Sequence, residues 1–271
     1  MTNGEQWAAA ELDALRAGRF GPRAWWHFLR ASFRRAKETR RNKPELVSQS
    51  RIWSAAGLGI GMTVCAWPRI ASPRPRRFAL WWLTTAAMLD WHLGMLEGPD
   101  GEPRDRLGTA DALTLTRIAL VPFLAAHGDP EQSSASTFTA LLALAGTSDA
   151  LDGVLARHAG PTRLGADLDT IADALTVAAA TRAGRRAGWL PGGASRLSAT
   201  RTAAPIAVVT ASYFRTGRRP ATDAFGATRR LAPALLTGLA IAPFYRRTGA
   251  GLTSAASIGS LALAWHTRST S

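Results

Sequence analysis

Along this chain, apolar stretches alternate with short polar or basic breaks from about residue 52 onward, while the first fifty residues follow another pattern. There Trp25, Trp26, Phe28 and Phe33 are interleaved with Arg30, Arg34, Arg35 and Lys37, which suits a helix lying on an anionic membrane surface. Lys37–Ser50 reads as a charged linker. Apolar segments follow at about Ile52–Trp67 and Phe78–Leu96, separated by the Pro- and Arg-rich turn Pro68–Arg77 and followed by the polar connector Glu97–Arg106. Six further stretches, about 111–127, 135–157, 164–183, 196–214, 229–245 and 250–266, approach the length needed to cross a bilayer at a rise of ~1.5 Å per residue. They are rich in Ala, Gly, Ser and Thr, which let membrane helices approach closely. The pattern predicts an all-α, polytopic membrane protein with a six-helix core and about two extra amino-terminal hydrophobic helices. Its parts are a basic amphipathic cytoplasmic or membrane-surface segment (1–50), the extra helices with their connector (51–106) and a membrane domain (107–271).

Composition changes this picture only when read locally. Hydrophobic residues make up 46% of the chain and its mean hydropathy is −0.03, an average that alone suits a soluble protein and conceals the polar amino terminus beside apolar stretches. Residues 1–50 lack an apolar run of signal-peptide length. Cys65 stands alone, which excludes an intrachain disulfide. Trp67, Trp81, Trp82, Trp91, Trp189 and Trp265 fall near predicted ends or within the extra helices, and several suit an interfacial belt.

The net charge of +14 raises nucleic-acid binding as a function class. No helix-turn-helix, zinc or RNA-binding signature accompanies it, so no nucleic-acid partner is expected; anionic membrane lipids and phosphate-bearing substrates account for the charge. If the amino terminus is cytoplasmic, the loop with Arg157 and Arg163 and the one with Arg215, Arg218, Arg219, Arg229 and Arg230 face the cytoplasm, while His127–Ser134 opposite has no Lys or Arg. Arg182, Arg185, Arg186, Arg196 and the Pro68–Arg77 turn run against that orientation. A multi-pass protein of the cell membrane with a cytoplasmic site is the expectation.

The most informative chemistry lies between Asp149 and Asp173. Asp149 and Asp152 are three residues apart, Asp169 and Asp173 four apart, so each pair shares a helix face. Gly160 and Pro161 interrupt the helix between them, predicting a hairpin with a loop at His158–Arg163 that brings both pairs together. Carboxylates in apolar helices are costly without a counter-charge, and hard oxygen donors lacking His or Cys suit Mg²⁺ or Mn²⁺. Off this face, Asp167 reads as a loop-end residue.

The run D-x-x-D-G-x-x-A-R followed by G-x-x-x-D-x-x-x-D comprises Asp149, Asp152, Gly153, Ala156, Arg157, Gly165, Asp169 and Asp173. It resembles the signature of the CDP-alcohol phosphatidyltransferases, with the Arg157–Gly165 gap one residue shorter than usual. Upstream, Leu113–Ala125 is similar to the family's first membrane helix: Thr114 and Arg117 match, and Asp111 stands where Asn is usual. Downstream, Arg201 and Phe225–Arg229 look like basic positions of phosphatidylglycerophosphate synthases. The likeness covers roughly Leu107 to His266.

The resemblance implies an enzyme of phospholipid biosynthesis that moves a phosphatidyl group from CDP-diacylglycerol to a small alcohol, releases CMP and works as a homodimer. It further implies two Mg²⁺ or Mn²⁺ ions on Asp149, Asp152 and Asp169, with Asp173 as general base and additional ligand. Thr114, Arg117, Gly153, Arg157 and Gly165 would serve the donor side: Gly153 by letting the nucleotide approach the backbone, Arg157 by pairing with phosphate, Gly165 by close helix packing. Two readings stand for Arg117, a substrate contact or a side chain snorkelling to the interface, and two for Asp111, a substrate contact or a helix cap. Arg201 inside a predicted helix, with Arg163 and Arg229, favours a phosphorylated acceptor such as glycerol 3-phosphate. Inositol phosphate, phosphatidylglycerol and serine remain as alternatives. A non-catalytic membrane scaffold has no reason to keep four aligned carboxylates, and a prenyl-diphosphate enzyme calls for a D-D-x-x-D run that is absent.

Overall fold

The computed structural model describes residues 3–67, 72–98, 100–129, 134–159, 162–216 and 229–269. Among these the architecture is all-helical, without a β-strand: α1 (Asn3–Ala17), α2 (Pro22–Asn42), α3 (Pro44–Cys65), α4 (Pro75–His92), a 3₁₀ turn at Leu93–Met95, α5 (Thr109–Ala126), α6 (Ala135–Ala159), α7 (Arg163–Arg186), α8 (Gly192–Thr216), α9 (Ala232–Ile241) and α10 (Arg246–Ser269). Two compact units are built from them. The first comprises Met1–Ala66, Pro75–Ala119 and Asp149–Ile171, the second Trp67–Arg74, Leu120–Ser148 and Ala172–Ser271.

In the first unit, proline sets the helix starts. Pro22 and Pro44 occupy first-turn positions, where the missing N–H costs nothing because that donor has no intrahelical partner. Lys37–Ser50 is therefore not a linker: α2 runs to Asn42 and α3 restarts at Pro44, with only Lys43 between them. The α1–α2 turn passes through Arg19 and Phe20 with φ of 49° and 55°, the left-handed region that is costly for side-chain-bearing residues. Helices α3 and α4 meet through Gly57 and Gly61, whose spacing of four aligns them on one face. Any Cβ there would overlap the rings of Trp82 and Phe78. Those rings stack nearly parallel, 6.4 Å between centroids, and Trp82 Nε1 donates to the Ser54 carbonyl. Trp82 is thus buried core, whereas Trp67 and Trp265 are exposed. Arg40 pairs with Asp90 across α2 and α4. Gln49 on α3 receives the Leu107 N–H at 2.8 Å and donates to the Leu107 carbonyl at 3.1 Å, fixing the chain just before α5.

The second unit is held by small residues and internal polar pairs. A Cβ on Gly238 of α9 would strike Thr253 of α10, and one on Gly249 would strike Ala242. Thr181 and Ser198, both buried, share a hydrogen bond of 2.8 Å between α7 and α8. The Phe138 ring lies against both His127 and Trp189.

Helices lie in each of the six stretches predicted downstream of residue 107, with one interruption: within 229–245 the chain is helical at 229–230, turns at Leu231, continues as the ten-residue α9 and turns again at 242–244. Among the described residues, α5 is the single helix long and apolar enough by composition to cross a membrane, and α9 is a shorter apolar helix. Charges lower the apolarity of two others: Asp167, Asp169, Asp173 and three arginines punctuate α7 after Arg163, and Arg196, Arg201 and Arg215 punctuate α8.

Candidate active site

Three side chains on α5 recur every third residue, Asp111, Thr114 and Arg117, and all are buried. This spacing confines them to one third of the helix circumference. Asp111 caps the helix: its Oδ2 accepts the Gly108 N–H at 2.8 Å, the reciprocal bond an acid makes from the third helical position to the amide before the helix. The Thr114 hydroxyl donates to the Ala110 carbonyl.

Arg117 is 1% exposed, so it does not snorkel. Its Nη1 donates to Asp149 Oδ1 at 2.7 Å and its Nη2 to Asp169 Oδ1 at 2.9 Å. A guanidinium withdrawn from water needs charged acceptors, and its planar fork reaches two carboxylates on two helices at once. The acids are more open, 38% exposed at Asp149 and 24% at Asp169.

The helix α7 is started by Thr162, whose Oγ1 accepts the Gly165 N–H at 3.0 Å. Gly165 needs its lack of a side chain, because a Cβ would lie 2.8 Å from Thr162 Oγ1 and 2.9 Å from Asp111 Oδ1. Gly165 thus makes room for Asp111 of α5, while the side chains at the end of α6 lie outside the described residues. Asp173 follows Asp169 by one turn of the same unbroken helix. One ligand atom from each of Asp149, Asp169 and Asp173 lies within 4.8 Å of the others. Three convergent carboxylates without His or Cys fit a hard divalent cation, and they outweigh the single positive charge of Arg117.

The other predicted residues distribute as follows. The backbone of Asp152, Gly153 and Arg157 belongs to α6, while their side chains, and that of His158, lie outside the described residues. Asp167 is exposed and is not one of the three clustered acids. Arg163 opens α7 in the first unit and is partly buried. Arg201, 6% exposed on α8 of the second unit, donates from Nε to Ser260 Oγ at 3.2 Å. Arg229 is exposed just before α9. Sequence reading overlooked Thr162 and Ser260. The first carries a recognisable N-cap signal, a Thr directly before a helix; the second carries none, since its value depends on which helix α10 meets.

The family model described as CDP-alcohol phosphatidyltransferase matches residues 107–265, more than half of the chain. No curated protein and no solved structure matches it. The matched segment contains Arg117 and every clustered aspartate. The chain belongs to the CDP-alcohol phosphatidyltransferase family, enzymes of phospholipid biosynthesis that transfer a substituted phosphate group from a CDP-alcohol to an acceptor.

Proposed function

We propose that this enzyme transfers the phosphatidyl group of CDP-diacylglycerol to a small phosphorylated alcohol, glycerol 3-phosphate being favoured, as phosphatidylglycerophosphate synthases do. The observation that carries this reading is the acid cluster of Asp149, Asp169 and Asp173 beside Arg117.

In the reaction, the acceptor hydroxyl gives its proton to a carboxylate oxygen of Asp173, and the acceptor oxygen forms a bond to the phosphorus that bears diacylglycerol. The bond from that phosphorus to the bridging oxygen of CMP breaks, and CMP leaves with the electron pair. Asp149, Asp152, Asp169 and Asp173 would hold two Mg²⁺ or Mn²⁺ ions, which would supply neutralisation of the pyrophosphate charge. Arg117 keeps Asp149 and Asp169 in register from two helices. Thr114, Gly153, Arg157 and Gly165 serve the donor, Gly153 by admitting the nucleotide close to the backbone. Arg201 favours an anionic acceptor, since a buried guanidinium on a fixed hydroxyl is suited to phosphate; Arg163 and Arg229 add positive charge.

The helices from α5 onward form a multi-pass membrane domain in the cell membrane with its site facing the cytoplasm, and the enzyme is a homodimer. On α2, Trp25, Trp26, Leu29 and Phe33 are exposed beside exposed Arg23, Arg30, Arg34, Lys37 and Arg41, a composition suited to lying on anionic lipid.

The test is release of CMP by the purified full chain given labelled CDP-diacylglycerol, Mg²⁺ or Mn²⁺ and a panel of acceptors. The reading expects turnover highest with glycerol 3-phosphate; turnover with inositol phosphate, phosphatidylglycerol or serine instead would reassign the acceptor, and CMP release with none of them would overturn the transfer reading.

A further inference from the structure

The family-matched segment begins at residue 107, yet the first residue of α7 is held from outside it. The Arg163 N–H donates to the Glu97 carbonyl at 2.9 Å. First-turn amides have no acceptor within their own helix, so Glu97 supplies one that the α7 sequence cannot.

Glu97 is itself immobilised. Its carboxylate is buried, and both oxygens accept the Gly4 N–H at the start of α1, at 2.9 and 3.0 Å. The amide end of α1 thus meets a negative charge, the favourable orientation for a helix dipole. The absence of a side chain at Gly4 is required, because a Cβ would stand 2.7 Å from Glu97 Oε2. Arg35 of α2 lies 3.6 Å from Glu97 Oε1, donates to the Gly94 carbonyl and rests on the Trp7 ring, 4.6 Å from its centroid. The connector around Glu97 is pinned by an antiparallel bridge to Pro103 and by the Arg104 N–H on the Leu96 carbonyl. A buried carboxylate is retained only where such partners repay its desolvation.

We infer that Glu97 is a positioning residue of the active site: through its buried side chain α1 and α2 fix the connector, and through its carbonyl the connector fixes the first turn of α7. That turn carries Gly165 against Asp111 and leads into Asp169, which Arg117 holds. The amino-terminal helices are therefore part of the catalytic unit. The effect on rate rests on the proposed transfer reaction; the effect on α7 does not.

The experiment uses the full chain in detergent with two readouts, hydrogen exchange at the backbone amides of 163–169 and the kcat and KM of CMP release per folded protein. Glu97→Ala is expected to speed exchange at the start of α7 by about 10-fold, local opening there no longer being opposed by the anchored connector. It is expected to lower kcat by about 10-fold with the donor KM within about two-fold, the pattern for misplaced reacting groups. Glu97→Gln, which keeps an acceptor for Gly4, is expected to recover most of both. Arg40→Ala breaks the Arg40–Asp90 pair in the same region without touching Glu97, and is expected to leave both readouts unchanged. Unchanged exchange in Glu97→Ala, or an equal change in Arg40→Ala, would overturn the inference. If Glu97→Ala does not fold, Arg35→Gln takes its place, with faster exchange at 163–169 expected and wild-type exchange overturning. A wild-type chain that releases no CMP would count against the transfer reaction alone, since the exchange result still decides the role of Glu97.

Discussion

Arg117 and Asp149 form an ion pair of 2.7 Å in which the guanidinium is 1% exposed and the carboxylate 38%. The cation is the buried partner and the anion the accessible one. A second bond to Asp169 means that Arg117 spends its charge organising acids rather than reaching a surface. Arg117→Lys keeps the charge but loses the fork that spans two carboxylates, so it is expected to fold and to lose activity by about 100-fold, the scale of removing one preorganised electrostatic contact. CMP release by the purified variant, against its thermal midpoint, checks this; near-wild-type activity in Arg117→Lys would mean that charge alone suffices.

Asp173→Asn tests the proton acceptor. The amide is nearly isosteric with the carboxylate and cannot take the acceptor's proton, so kcat is expected to fall by about 10²–10⁴-fold. Binding of CDP-diacylglycerol, followed by equilibrium dialysis, should persist within a few-fold. Full turnover by Asp173→Asn excludes the base role.

Metal dependence follows from the donor set. Chelation is expected to abolish CMP release, with Mg²⁺ or Mn²⁺ restoring it, because convergent carboxylate oxygens prefer hard cations. Zn²⁺ should restore it poorly. Activity that survives exhaustive chelation would remove the ion from the mechanism.

Much of this site was legible because its residues are local in sequence. The spacing of Asp169 and Asp173 and the position of Asp149 one helix earlier are properties of one short stretch, and helical periodicity with a hairpin suffices to group them, while the side chain of Asp152 lies outside the described residues. Arg117 was identified as a motif residue, but its destination was not: whether a long cationic side chain snorkels or turns inward depends on what faces it across the helix packing. Glu97 and Ser260 were invisible for the same reason, as each acts on a partner at least 59 positions away. The linker expected at Lys37–Ser50 failed for a local reason, since Pro44 begins a helix as readily as it ends one. Hydropathy predicts six spans; among the described residues α5 is the single helix long and apolar enough by composition, and the charges on α7 and α8 lower theirs.

Glycine substitutions separate close packing from backbone effects. Gly165→Ala places a Cβ 2.9 Å from Asp111 Oδ1 and 2.8 Å from Thr162 Oγ1, disturbing two helix caps together, and is expected to destabilise by about 1–3 kcal/mol. Gly193 lies in the first turn of α8, and a Cβ there meets nothing within 4 Å, so Gly193→Ala is expected to be neutral or slightly stabilising. Thermal unfolding of both variants in one detergent decides: equal midpoints would mean that the space beside Asp111 is not needed.

Ser260 offers the sharpest test of the acceptor. Its hydroxyl donates to the Ala256 carbonyl at 2.8 Å and receives the Arg201 Nε–H at 3.2 Å, so both its hydrogen and a lone pair are committed and the guanidinium orientation is set. Ser260→Ala removes that anchor without touching the acid cluster. With a phosphorylated acceptor, KM for the acceptor is expected to rise by about 5–12-fold, the upper end of what one typical intramolecular hydrogen bond contributes. The KM for CDP-diacylglycerol should stay within two-fold, estimated roughly from uniform-binding arguments. Ser260→Thr, which retains the hydroxyl, should restore the acceptor KM. If Ser260→Ala raises both KM values alike, Arg201 does not belong to the acceptor side, and a neutral alcohol becomes the better candidate.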